Sequence, residues 1–240
     1  MPHRGLALLM VLFGLVLVAS VPFAQGPPAG EKNAGDLELV QKLLLHRREY
    51  QKILEQLHVH YHQIQDKERA RWAEEELKHF HRGPKHAFIL ALAVPPPNLN
   101  GNQNITEANK LFTWAMQFKD KGFGLDYIDN QRRAELVLQE ILTKYSNSDK
   151  ISDVAFMLGD IYESKAYKQP YLAVEYYQRC YQWNSRTTYE ARMRAARIYD
   201  KQLQNRTKAI ELYREVTTHE IDPRRTQEAQ KRIAELSGTK

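Results

Sequence analysis

The sequence predicts an all-α chain built from antiparallel helix pairs, and three observations predict it. Apolar residues recur at three- and four-residue steps over most of the chain, which is the spacing of one helix face. Clusters of Gly, Pro, Asn, Ser and Asp punctuate those stretches about one helix length apart. Beyond residue 104 no alternating run is long enough to read as a strand. With 240 residues, 42% of them hydrophobic, the chain can bury a sizeable core as one ordinary domain or two small ones. Its 27% of charged residues are interspersed with apolar ones, so wholesale disorder is not expected.

The first element is an address. Met1 to Arg4 carry one Arg and one His, and Gly5 to Val21 form an almost purely apolar run ending at Pro22. A basic start, a short apolar core and small residues beyond it make a secretory signal peptide over 1–24, cut after Ser20 or after Ala24. No cysteine stands nearby to carry a lipid. The run is slightly shorter than the roughly 20 residues that span a bilayer, so the chain meets the membrane only transiently, or stays tethered if the signal is not cleaved. Residues 25–35, rich in Gly, Pro and Ala, read as a flexible lead-in.

An N-terminal hairpin occupies 36–83. Leu37, Val40, Leu44, Ile53, Leu54, Leu57, Tyr61 and Ile64 mark a long first helix over 36–65, which Asp36 can cap by accepting from free amides of the first turn. Ala70, Trp72, Ala73, Leu77 and Phe80 mark a second over 66–81, stopped by Gly83-Pro84. A Pro- and Asn-rich connector follows over 84–104. Its apolar run from Ala87 to Val94 is too short to cross a membrane and fits either a buried extended segment or a short helix. Helical periodicity then returns over 105–121, 130–145, 151–165, 171–184, 188–202, 207–219 and 224–236. Turn residues at Gly122-Phe123-Gly124, Ser146-Asn147-Ser148-Asp149 and Asp222-Pro223 separate several of these.

A period underlies the later helices. Leu158-Gly159-Asp160-Ile161-Tyr162, followed by Ala173 and Tyr177, resembles the Leu-Gly-x-x-Tyr and Ala-x-x-x-aromatic signature of tetratricopeptide repeats. The next unit repeats it with Ala195, Ala196 and Tyr199, then Ala209, Tyr213 and Val216, and Pro223 after them. Tyr162 and Tyr199 stand 37 residues apart, close to the family period of about 34 plus loop residues. Looser units place Trp114, Ala115 and Phe118 before Ala134, Leu138 and Ile141, and Leu54, Leu57, His58 and Tyr61 before Ala70, Ala73 and Leu77.

The resemblance implies antiparallel helix pairs stacked as a right-handed superhelix over 105–240, with 224–236 as a C-terminal capping helix. It implies small residues at Gly159, Ala115 and Ala196 where paired helices approach, and tyrosines at 162, 177, 199 and 213 filling the space between pairs. It also implies an inner groove that binds a protein or peptide. The arrangement is similar to exported bacterial repeat proteins, including outer-membrane assembly and Tol-Pal factors, so a non-enzymatic scaffold in the periplasm or cell envelope is expected. Carried over position by position, the groove-facing residues are Phe112, Met116, Lys119, Phe156, Asp160, Glu163, Met193, Arg197 and Asp200. Phe112, Met116, Phe156 and Met193 would form an apolar stripe bordered by charge, although a stripe of that spacing equally serves as ordinary core. Asp160 and Glu163 would repel a C-terminal carboxylate, which disfavours the tail-receptor mode of some relatives.

Other chemistries find little footing. Lys plus Arg number 35 against 29 Asp plus Glu, a net charge of +6, but the signs alternate along helices and are not gathered in one basic patch, so no nucleic acid is expected. Cys180, the one cysteine, excludes an intramolecular disulfide and falls at a small core position of its repeat. His58, His60, His62, His79, His81 and His86 suggest metal binding, but only His58 and His62 share a helix face and no HExxH is present, so no metal or cofactor is expected. There is no GxSxG, no phosphate-binding Gly loop and no paired catalytic carboxylates. The alternative to a scaffold is a regulatory domain of a cell-wall enzyme, or a degenerate enzyme of that kind using the His-rich hairpin. Asn104-Ile105-Thr106 and Asn205-Arg206-Thr207 match glycosylation sequons that a bacterial chain would not use.

Overall fold

The computed structural model describes residues 34–238, and the expected signal peptide over 1–24 and nearly all of the lead-in lie outside them. Ten α-helices and no strands are present among the described residues. The first two, α1 (Ala34–Gln63) and α2 (Lys67–Arg82), pack against each other, joined by a turn in which Gln65 takes a positive φ of 58°. Asp66 caps α2 by accepting from the Arg69 amide at 3.0 Å.

The connector settles on the short-helix alternative, with α3 (Leu90–Ala93) leading to buried Val94. Beyond it come α4 (Thr106–Phe118), α5 (Gly124–Lys144), α6 (Ile151–Glu163), α7 (Pro170–Trp183), α8 (Ala191–Lys201), α9 (Arg206–His219) and α10 (Pro223–Ser237). Packing is between neighbours: α4 with α5, α6 with α7, α8 with α9 and α9 with α10, while α5 touches α6 and α7 touches α8.

One boundary differs from expectation. The fifth helix begins at Gly124, six residues before the Asn130 start that the sequence predicts. Positive φ at Asp120, Gly122 and Gly124, with extended Phe123 between the glycines, reverses the chain within a few residues, so the helix restarts at once and Asp126 lies in its first turn.

The core runs through α4–α10. Tyr176, Tyr177, Tyr213, Leu138, Ile141, Leu158, Ile161, Met193 and Ile198 are fully buried in it. Ala115 and Ala196 are buried where small residues are expected, and a Cβ on Gly159 would lie 2.7 Å from the Tyr177 ring. That contact is why α6 and α7 approach as closely as they do. Tyr162 is likewise buried, whereas Tyr199 is only partly so.

Three side chains of α7 and the residue before it clamp the connector onto the array. Gln169 donates to the Lys85 carbonyl at 3.2 Å, Arg179 to that of Pro95 at 2.7 Å, and the Trp183 indole to that of Pro96 at 3.0 Å. Carbonyls in a proline run have no helix or ladder to satisfy them, so they depend on such donors. At the far end, Gly101 lies so close to the Ser148 carbonyl that a Cβ would fall 2.1 Å from its oxygen. Gln103 pairs with Ser148 in an isolated parallel bridge.

The hairpin contributes only Leu54, Ala70 and Ala73 as buried apolar residues. It docks through packing of α2 on α5 and through Arg82, whose two donors meet both Asp129 oxygens at 2.7 Å. No helix among the described residues is long and apolar enough to cross a membrane.

Candidate functional site

The expected groove residues divide by chemistry. Met193 is fully buried and Phe156 is 9% exposed, stacked on Tyr189 with ring centroids 4.4 Å apart. Phe112 and Met116 are partly buried and pack against the same core. Phe156 and Met193 of the expected stripe thus belong to the core, while Phe112 and Met116 lie at its edge.

The charged candidates are ion-paired, with the Lys119 and Asp200 side chains largely buried and those of Asp160, Glu163 and Arg197 partly exposed. Lys119 pairs with Asp160, and Arg194 lies 3.8 Å from Asp160, 3.4 Å from Glu163 and 2.6 Å from Glu190. Arg197 meets Glu190 at 3.3 Å and both Glu228 oxygens at 2.9 and 2.7 Å. Asp200 accepts from Arg232 at 2.9 and 2.6 Å and from the Tyr213 hydroxyl at 3.1 Å. Alternating signs thus form a ladder across α4, α6, α8 and α10. Burial pulls the Lys119 ammonium down, but Asp120 and Asp160 outweigh it and hold it above the ordinary lysine value. Asp160, Glu163 and Arg194 also edge a depression of about 850 Å³ beside Phe123, whose ring is 94% exposed.

A second depression, unannounced by the repeat pattern, lies between the hairpin and the first pair of the array. It encloses about 640 Å³, with Trp114, Phe118, Leu136 and Val137 as its apolar floor. Gln51 and Glu55 of α1 form one wall, and Arg133, Glu140 and Lys144 of α5 form the rim. Trp114 is 48% exposed, and its ring meets Phe118 edge to face at 5.6 Å. On its other side Trp114 edges a shallower, polar depression with Thr106, Asn109, Lys110, Thr113 and Gln117. The geometry follows from α4, whose inner face supplies Ala108 and Ala115 to the core, while its outer face turns Trp114 toward α1. Sequence reasoning placed Trp114 and Phe118 at packing positions. Helical spacing alone does not distinguish a half-exposed indole at Trp114 from a packed one.

Several titratable groups elsewhere have defined partners. Arg132 lies over the Tyr167 ring at 3.4 Å, and Glu135 accepts from the Tyr162 hydroxyl at 2.6 Å and from Tyr167. Burial, reinforced by Glu135, pushes both phenols well above their ordinary range, so they remain donors. Burial likewise raises the Cys180 thiol, beside the Ser152 hydroxyl that donates to the Cys180 carbonyl at 2.8 Å. His58 and His62 lie 3.1 Å apart through Nε2, and no group of three or more His, Cys, Asp or Glu among the described residues is arranged to hold a metal ion. Comparison with protein-family models, with curated proteins and with solved structures found no match for this chain.

Proposed function

We propose that the chain is a non-enzymatic, tetratricopeptide-like scaffold exported to a bacterial cell envelope, where it binds a protein partner without turnover. The signature at Leu158–Tyr162 supports the repeat assignment, as does the Gly159–Tyr177 contact at two of the signature positions. Successive pairs α4/α5, α6/α7 and α8/α9 would form the right-handed superhelix, with α10 as the cap.

The observation that carries the binding reading is the open apolar floor of Trp114, Phe118, Leu136 and Val137, framed by helices on both sides. Such a trough suits an amphipathic helix laid apolar side down, its polar edges meeting Arg133 and Lys144 on one flank and Glu55 on the other. Aromatic anchors such as the half-exposed Trp114 are the side chains that dominate such contacts. Trp114→Ser and Phe118→Ser, singly and together, test this against the parent. The double variant should fold with parental helicity and lose the protein that the parent retains from an envelope extract. Retention of that same protein at parental yield by the folded double variant sinks the reading.

A further inference from the structure

We infer that the first half of α1 is a self-pairing surface through which two copies of this chain associate as an antiparallel, two-fold helix pair. A helix of 30 residues is about 45 Å long and one of 16 about 24 Å, so α2 can flank only part of α1. Tyr50 marks the limit, because its ring meets Phe80 of the last turn of α2 at 5.3 Å. Residues 36–47 lie N-terminal of that contact, with Arg47 near enough to Lys85 of the connector for their like charges to interact. None of them is fully buried: Leu39 and Leu45 are exposed, at 66% and 45%, and Leu37, Val40, Leu43 and Leu44 are half-buried. An apolar helix face of this density is costly to leave in water and is a docking surface by default.

The spacing and the charges select the occupant. Asp36, Val40, Leu43 and Arg47 follow steps of four, three and four, the seam of a two-helix pair, with Leu37 and Leu44 along one flank and Leu39 and His46 along the other. In an antiparallel pair with its two-fold axis between residues 41 and 42, Val40 faces Leu43 of the second copy, and Leu37 lies along the same flank as Leu44. Asp36 then faces Arg47 at each end of the seam. A parallel in-register pair would instead set Asp36 against Asp36 and Arg47 against Arg47, so like charges oppose that arrangement. Neither Asp36 nor Arg47 has an ion-pair partner among the described residues, whereas their neighbours Glu38 and Lys42 bind each other at 2.6 Å on the outer face. The seam is apolar at its centre and carries complementary charge at its ends, and a second copy is the partner that reproduces both.

Sedimentation of the full chain over a concentration series tests this, using the charge reversals Asp36→Lys and Arg47→Glu, both on exposed or half-exposed positions outside the core. The parent should show a monomer–dimer equilibrium. Each single reversal places like charges together twice per dimer and should weaken association by about tenfold or more. The double reversal should restore it to near the parental value. A parent that is monomeric at every concentration overturns the inference, whether residues 1–33 or another protein then covers the face. So does a dimer that the single reversals leave unchanged, or one that the double reversal fails to rescue.

Discussion

Two residues show how narrowly the backbone is specified. Gly159 lies against the fully buried Tyr177 ring, where a Cβ would approach to 2.7 Å. Gly159→Ala should therefore destabilise by about 1–3 kcal/mol, read as a lower urea midpoint with an unchanged slope, and a neutral substitution would mean that the two helices can part at no cost. Lys85 makes a different prediction. Its ammonium lies over the Phe80 ring at 4.3 Å, and burial, helped by the nearby Arg132, pushes its pKa down to about 8 from the ordinary 10.5. Between those values the unfolded chain binds more protons than the folded one, so stability should rise as pH increases through about 8 toward 10. The rise should vanish in Lys85→Met, as followed by thermal unfolding across that range. The close approach at Gly159 was legible in the sequence because a motif with a physical reason marks it. The burial of Phe156 and Met193 was not, because a three–four apolar stripe has the same spacing whether it faces a groove or a core.

At the scale of elements, helices with strong periodicity were legible to within a few residues, except for the start of α5, and the connector was not. Residues 84–104 have little period to read, and their conformation is imposed by donors more than 80 positions away in α7. Trp183→Phe keeps the ring and removes the indole donor to the Pro96 carbonyl. It should cost roughly 1–2 kcal/mol and raise the protease sensitivity of the connector before that of the repeats. The hairpin is similarly tied by one strong contact. Arg82 holds the Asp129 carboxyl below the usual carboxylate range through a bidentate hydrogen bond, so this contribution is present at neutral pH and lost as pH falls through the lowered value. Both partners are partly solvated, which limits the effect of Asp129→Asn to about 1 kcal/mol. Hydrogen exchange should quicken in α2 in that variant while α6 to α9 keep their protection.

At the scale of the whole molecule, the internal charge ladder and the open apolar trough share the work unequally. Arg194 pairs with Asp160 and Glu163, and Arg197 with Glu190 and Glu228, an arrangement suited to fixing the stacking of neighbouring pairs. The trough is bounded by α1, α4 and α5, and the hairpin meets the array through α2 and Arg82. That arrangement depends on the path of the connector, so the trough could not be read from helix patterns alone, although each of its residues could be placed on a helix. Binding at the trough is the central claim, and site-specific photo-crosslinking in the cells that make the protein tests it most directly. A photoreactive side chain at Trp114 or Leu136 should yield one discrete adduct with another protein, and the same probe at Lys231 on α10 should yield none. No adduct at either trough position, or the same adduct at Lys231, would contradict it.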